Sequence, residues 1–340
     1  MLYRLILRPI LFLFDAEWVH DMTIALCGWL QKSPGALRVL SWYFHPVYAP
    51  VEVMGITLPN RVMLAAGFDK AGKIANIMQA LGLGSGVVGS VPLRAQPGNP
   101  KPRLKRVPRR DDLLNHMGCN SPGAFAVRDN LEEARRGGSI PVGISLTCNT
   151  DTLHGQEATN LLESLRILYL LGDFFEVNIS CRNTPAHRYL QNPLVIEKVL
   201  RALVEREKEL AHRHGVQHKP ILLKLAPDLS DEQLLDCVEA AVRADIDGVV
   251  LGNTSKNPHS VDAVGALSGH SLFDRMLEMV RLVHTTYPTL TIIACGGIDS
   301  PERAELALAA GAALVQIFTA LVYKGPGIIR RIAHRLAHYR

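Results

Sequence analysis

Asn178-Ile179-Ser180-Cys181-Arg182-Asn183-Thr184-Pro185 gathers two carboxamides, two hydroxyls and a thiol within one short stretch. It follows Phe174-Phe175-Glu176-Val177, an apolar run that reads as a buried strand. The polar groups therefore sit just past a strand's C-terminal end, where barrel enzymes keep their chemistry. Carboxamides both donate and accept hydrogen bonds, so they suit a planar substrate with alternating amide groups. A thiol that ordinarily titrates near ~8.5 can act as general base where its surroundings favour thiolate. Taken alone, the same residues also fit a polar loop with a structural cysteine.

The elements that must position these groups follow from hydrophobic patterning. Apolar strand candidates occur at 62–66, 86–89, 141–146, 174–179, 220–225, 246–251, 291–295 and 313–318. Amphipathic helical segments between them include Pro193–His214, Asp231–Ala244, Leu272–Thr286 and Pro301–Ala310. Strands alternating with helices imply parallel strand–helix–strand units, and eight of them point to a closed (β/α)8 TIM barrel, an α/β fold. Val51–Leu58 reads as a hairpin under the barrel.

Residues 1–45 form a separate piece, an N-terminal amphipathic helical extension, and residues 46–340 the barrel. Leu2, Leu5, Ile6, Ile10 and Leu13 fall at helical spacing, and Asp15 can cap a second helix whose Val19, Met22, Leu26 and Trp29 share a face. Two such helices, with Trp18, Trp29, Trp42, Tyr43 and Phe44 in or just after them, suggest an element that lies on a membrane surface. The first apolar run is too short to span a bilayer, which needs ~20 residues. A helical hairpin packed on the barrel is the alternative.

Polar residues recur at the ends of the strand candidates. Ala66, Gly67 and Lys70 follow the first, Ser90 ends the second, Ser145 the third, and Asn178 and Cys181 the fourth. Lys224 ends the fifth, Asn253 and Thr254 follow the sixth, Gly296-Gly297 the seventh, and Phe318 and Thr319 end the eighth. A lysine inside an apolar strand is costly unless it meets an anion or an electron-rich group. Gly296-Gly297, Ser268-Gly269 and Thr319 fit the phosphate site that barrels build after strands seven and eight.

Composition limits the function classes. The chain has 340 residues, 48% hydrophobic and 20% charged, with a formal charge of +5. No Lys/Arg block or basic stripe interleaved with aromatics occurs, so nucleic acid is not an expected partner. The six cysteines are scattered without a Cys-x-x-Cys pair, which argues against a metal cluster and for a reducing compartment. Gly84-Ser85-Gly86-Val87-Val88-Gly89 matches G-x-G-x-x-G but leads into a strand, so it is not a dinucleotide fingerprint. His212, His214 and His218 read as solvated cations at a helix end, and Arg109-Arg110-Asp111-Asp112 as a solvated loop.

Several separate motifs then resemble a known family. Ala65-Ala66-Gly67-Phe68-Asp69-Lys70, Gln96-Pro97-Gly98-Asn99-Pro100-Lys101-Pro102-Arg103, Asn115-His116-Met117-Gly118, Asn178-Ile179-Ser180, Asn183-Thr184-Pro185, Lys224-Leu225-Ala226-Pro227-Asp228-Leu229 and Leu267-Ser268-Gly269 look like dihydroorotate dehydrogenase. The helical extension resembles that of the membrane-associated, quinone-using class. The resemblance implies an FMN enzyme that oxidises dihydroorotate to orotate in pyrimidine biosynthesis and passes electrons to quinone. It implies Cys181 as catalytic base, and Lys70, Asn115, Asn178, Asn183, Asn253 and Thr254 around the substrate. Ala66, Gly67, Lys70, Ser90, Ser145, Asn178, Lys224, Gly269, Gly297, Phe318 and Thr319 would hold FMN, with Lys224 at the edge that gains negative charge on reduction. His20 and Arg106 match positions lining a quinone tunnel. A peripheral membrane protein is expected, facing a reducing compartment (the cytoplasmic face of the inner membrane in a bacterium), with a monomer as the default.

The chain departs from the family pattern at several positions. Cys181 stands where the membrane class has Ser, and Arg182 where a Pro usually follows. Ser145 replaces an Asn, Thr147-Cys148 a Gly-Lys pair, Cys119 a Phe, Gly252 a Thr, Pro92-Leu93 a Thr-Pro and Phe318 a Tyr. Loss of the Phe at Cys119 should enlarge or reshape the substrate pocket. The alternatives are a paralogous flavin oxidoreductase acting on another cyclic amide or amino-acid-derived ring, a non-redox phosphate-binding barrel, and a membrane-docked binding protein.

Overall fold

The computed structural model describes residues 3–135, 140–153, 155–179, 192–256 and 265–339. Its first elements form the extension: a π-helical turn at Tyr3–Leu7, then α1 (Arg8–Leu11), α2 (Ala16–Leu30) and α3 (Pro34–Phe44). Asp15 caps α2 by accepting from the backbone N–H of Trp18 at 2.9 Å, as its position predicts. The third helix was not expected from the pattern. Its start carries the usual signal nonetheless, a Ser33 cap followed by Pro34 in the first turn.

The chain then makes an antiparallel hairpin of β1 (Val51–Val53) and β2 (Ile56–Leu58). Barrel strands follow: β3 (Val62–Asp69), β4 (Ser85–Val91), β7 (Val142–Leu146), β8 (Phe174–Asn178), β9 (Ile221–Leu225), β10 (Gly248–Leu251), β13 (Thr291–Cys295) and β14 (Leu314–Ile317). They close in the order β3-β4-β7-β8-β9-β10-β13-β14, all parallel, which is the expected eight-stranded barrel. Parallel strands covered on both faces can be apolar throughout, so their side chains alternate between two different interiors. Leu223 and Leu225 join the large cluster shared with the helices, whereas Leu222 points into the barrel. Phe174, Val250, Ile293 and Leu314 join Leu222 there, and Val53 and Leu58 of the hairpin close this layer from below.

The same alternation, advanced by two residues, places Glu176, Lys224, Cys295 and Gln316 in the next layer up. The barrel interior thus changes from apolar to polar within one pleat. The helices around it end as their sequences predict. Pro193–His214 begins at a capping Asn192 and ends at left-handed Gly215. Asp231–Arg243 has a full Ser230/Gln233 capping box. Pro301–Ala309 starts after Ser300, whose hydroxyl accepts from the Arg303 N–H.

Two expectations are corrected. Asp112 is fully buried rather than solvated: it opens β6 (Asp112–Asn115), and its carboxylate accepts from the Ser271 N–H at 3.0 Å. Neighbouring Asp111 pairs with Lys324 at 2.5 Å, so only Arg109 and Arg110 of that run are exposed. His218 likewise is no loose helix-end cation. It lies past the Gly215 cap and bridges Glu207 at 2.7 Å and Asp247 at 2.8 Å, which holds its pKa above the usual imidazole value despite burial.

A second, four-stranded antiparallel sheet was not expected. It orders β5 (Leu104–Val107), β6, β12 (Ala266–Gly269) and β11 (Ser255–Lys256) as β11-β12-β6-β5. Its strands are short, and half-buried Asn115 and Ser268 interrupt the apolar pattern that marks the barrel strands.

Candidate active site

The strand ends of the barrel, the second sheet and α2 enclose one cavity of about 1030 Å³. Ala66, Gly67, Lys70, Ser90, Asn115, Asn178, Lys224, Asn253, Thr254, Gly269, Gly297, Phe318, Thr319 and His20 all line it. Residues up to 299 positions apart in the chain, from His20 to Thr319, are therefore brought to one space. Cys181 and Asn183 lie outside the described residues, as does Arg182.

Lys70 leaves β3 at a turn shaped by the preceding residue. The buried Asp69 carboxylate accepts from the N–H groups of Ala71, Lys73 and Ile74 at 3.0–3.3 Å, which fixes the loop. Lys70 Nζ donates to Asn120 Oδ1 at 2.7 Å. Burial, then the Arg103 guanidinium, pushes the Lys70 ammonium down to about 8. A lysine so placed gains from any anion that enters the cavity.

Two of the carboxamides, Asn178 and Asn253, form a hydrogen-bonded row with two hydroxyls. Ser145 Oγ and Ser90 Oγ lie 2.7 Å apart, Asn178 Nδ2 donates to Ser90 Oγ at 2.8 Å, and Asn253 Nδ2 donates to Asn178 Oδ1 at 3.2 Å. Ser145, expected to contact the cofactor, is fully buried behind Ser90 and does not itself line the cavity. The Thr254 N–H is held by Asn253 Oδ1 at 2.9 Å, and Asn115 Nδ2 donates to Ala266 O at 3.0 Å across the second sheet. Such mutual bonding fixes each amide's orientation before a ligand arrives.

Lys224 forms part of the cavity floor. Its Nζ donates to Gln316 Oε1 at 2.9 Å and lies 3.4 Å from Glu176 Oε2. Gln316 Nε2 in turn donates to Glu176 Oε1. Burial alone would push the Lys224 ammonium down, but Cys295 and Glu176 hold its pKa above the ordinary value. It is a charged floor.

At the other end, Gly269 and Gly297 allow a close approach of backbone. Gly269 has φ +125° and a Cβ there would come 2.6 Å from Asp111 O; Gly297 has φ +66° and a Cβ would come 2.5 Å from Phe273 N. Only glycine fits either conformation without displacement. Ser268 Oγ and Thr319 Oγ1 stand 3.0 Å apart beside them. Hydroxyls and approachable backbone N–H groups make an anion cradle of the kind phosphates use. Cradle, charged floor and amide row together suit a planar ring carrying a phosphate at one end.

Toward the extension, aromatic rings continue the cavity wall. Phe318 meets Phe68 edge-on at 5.5 Å, and Phe68 meets His20 at 5.2 Å. Burial, then Lys70, lowers the His20 pKa, which favours the neutral imidazole facing this passage. Arg106 is placed differently from His20. It sits on β5 outside the cavity lining, donates to Phe14 O at 2.7 Å and lies over the Phe12 ring at 4.7 Å, tying α1 and its following turn to the second sheet.

Sequence reasoning missed a second tether. Glu17, buried in α2, receives Nε and Nη2 of Arg103 at 2.8–3.2 Å, with Lys101 at 3.2 Å. Removing one partner of such a pair costs about 3–5 kcal/mol, because the other charge is left buried. Asn120, Glu176, Gln316 and Cys295 were missed as well. For Glu176 a signal existed: a carboxylate between Phe175 and Val177 in an apolar strand needs a cation. The outer surface of the extension is apolar, with Leu5, Leu13, Trp29 and Trp42 each 69–82% exposed. Among the described residues no helix is long and apolar enough to cross a membrane.

Comparison with known proteins agrees with this geometry. The family model described as dihydroorotate dehydrogenase matches residues 48–339. A Burkholderia lata protein named dihydroorotate dehydrogenase (quinone) is 38% identical, over 98% of this chain and 97% of its own. One of the same name from Vibrio parahaemolyticus is 37% identical over 99% of this chain and 100% of its own. The crystal structure of an Eimeria tenella dihydroorotate dehydrogenase in complex with ferulenol superposes with a TM-score of 0.84 at 27% identity, covering 95% of this chain and 90% of that one. A family match over most of the chain, full-length relatives above 30% identity and the barrel with its capping sheet lead to one conclusion: the chain belongs to the dihydroorotate dehydrogenase family.

Proposed function

We propose that this protein oxidises dihydroorotate to orotate for pyrimidine biosynthesis, holds FMN in the cavity and passes the electrons to a membrane quinone. The observation that carries the proposal is Lys70 and the carboxamide row lining the same cavity as the Lys224 floor and the glycine cradle. Family membership implies a flavin. FMN is the form with a ring for the Lys224 floor and one phosphate for Gly269, Gly297 and Thr319. When bound, it supplies the two-electron acceptor.

The residues divide the remaining work. Lys70 holds the substrate carboxylate. Asn115, Asn178, Asn253 and Thr254, with Asn183 by motif, engage the ring amides and fix the face presented. Cys181, by its motif position, takes the proton from C5 as hydride leaves C6. The cation at Lys224 favours the charge that reduction brings, a preorganised electrostatic effect. His20 and the Phe68–Phe318 edge line the path by which a lipophilic acceptor enters. The exposed apolar face of the extension rests on the membrane surface, on its cytoplasmic side in a bacterium, with a single chain as the working unit.

The test is an anaerobic titration of purified, FMN-soaked protein. Dihydroorotate should bleach the flavin spectrum, other dihydropyrimidines should not, and added quinone should restore it. A colourless protein, or bleaching by another ring in preference to dihydroorotate, refutes the proposal.

A further inference from the structure

The interior of a barrel is a poor place for a carboxylate, yet Glu176 has no exposed surface at all. Both of its oxygens are used, Oε1 as acceptor for Gln316 Nε2 and Oε2 beside Lys224 Nζ. Lys224 closes the ring by donating to Gln316 Oε1 at 2.9 Å. The three side chains come from β8, β9 and β14, and each is placed by the same inward pleat. Lys224 and Gln316 line the cavity, while Glu176 sits behind them. The floor therefore presents the positive end of an ion pair whose negative end is recessed.

Gln316 already accepts from the Lys224 ammonium at 2.9 Å, so position alone does not call for a carboxylate. Glu176 does something a neutral residue could not: it cancels much of the lysine's field at longer range while leaving the ammonium in contact with the cavity. We propose that Glu176 is a positioning residue that sets the redox potential of the bound flavin, holding it lower than Lys224 alone would. This rests on the flavin reading above. The negative charge that two-electron reduction brings to the ring is favoured by Lys224 and opposed by Glu176. A lower potential makes the ring a stronger donor to the second acceptor and a weaker oxidant of the substrate. Glu176 thereby divides the driving force between the two half-reactions.

The measurement is the midpoint potential of the FMN-loaded protein against a reference dye, for the wild type, Glu176→Gln and Glu176→Asp. Potentials are taken across a pH series, so that the low-pH limit reports each variant with Lys224 still protonated. Glu176→Gln keeps the shape and removes the carboxylate's charge. It should shift the reduction equilibrium about 10- to 100-fold toward the reduced ring, which is ~30–60 mV upward for a two-electron couple. Glu176→Asp keeps a buried carboxylate but withdraws it from Lys224, so it should shift the same way by less. It also preserves a folded, charged core if the Gln variant is lost. Unchanged or lowered potentials in both variants overturn the proposal and leave Glu176 as a partner that merely permits Lys224 to be buried. Wild-type protein that takes up no FMN refutes the flavin reading itself, and this proposal with it.

Discussion

Binding of an orotate-like carboxylate should weaken sharply as pH rises through about 8. The group responsible is Lys70, whose ammonium is pushed down to about 8, first by burial and then by the Arg103 guanidinium. The sign follows from which form the ligand needs. A carboxylate favours the protonated amine, so binding pulls the Lys70 pKa back up and takes up a proton wherever the free protein has lost it. Affinity is therefore full below the free-state value and lost above it. For a single such group the apparent dissociation constant grows as 1 + 10^(pH − pKa), which gives roughly tenfold weakening between pH ~7 and ~9 and roughly thirtyfold by pH ~9.5. An unburied lysine, titrating near ~10.4, would show almost none of this loss below pH ~9.5. Orotate titrations of FMN-loaded protein, followed by the flavin spectrum, provide the assay. Lys70→Met should bind weakly and without pH dependence over this range. A wild-type affinity that stays flat to pH ~9.5, or a Lys70→Met protein with the same slope, would refute the reasoning.

Two further outcomes are expected. Cys181→Ala should slow substrate-driven flavin reduction by roughly 10²–10⁴-fold, the usual worth of a positioned base, with orotate affinity little changed; stopped-flow reduction at the wild-type rate would place the base elsewhere. Removal of residues 1–45 should leave dihydroorotate-driven bleaching in place but abolish binding to phospholipid vesicles and slow reduction of long-chain quinone. A truncated, FMN-loaded protein that still binds the vesicles and reduces such a quinone at the full rate would show that the extension serves neither role.

The sequence by itself determined the barrel and the rim on which its chemistry sits. Each barrel strand is mainly apolar because both faces are covered, and helices such as Pro193–His214, Asp231–Arg243 and Pro301–Ala309 carry their own caps. These are local signals, set within a few residues. A polar side chain just past such a run must lie at a strand's C-terminal end, so Lys70, Ser90, Asn178 and Thr319 could be placed before any contact was known. What only tertiary structure decided is who meets whom. Glu176 finds its partners 48 and 140 positions away, Lys70 finds Asn120 50 positions away, and Arg103 finds Glu17 86 positions away. An apolar strand flags Glu176 as buried, but nothing local marks Asp112: it looked like part of a charged loop until the second sheet covered it. The short strands of that sheet owe their existence to pairing with each other, not to their own pattern. An ion pair is a property of two distant places made adjacent, and its field at the cavity depends on which end faces inward. That orientation was fixed only when the strands closed into a barrel.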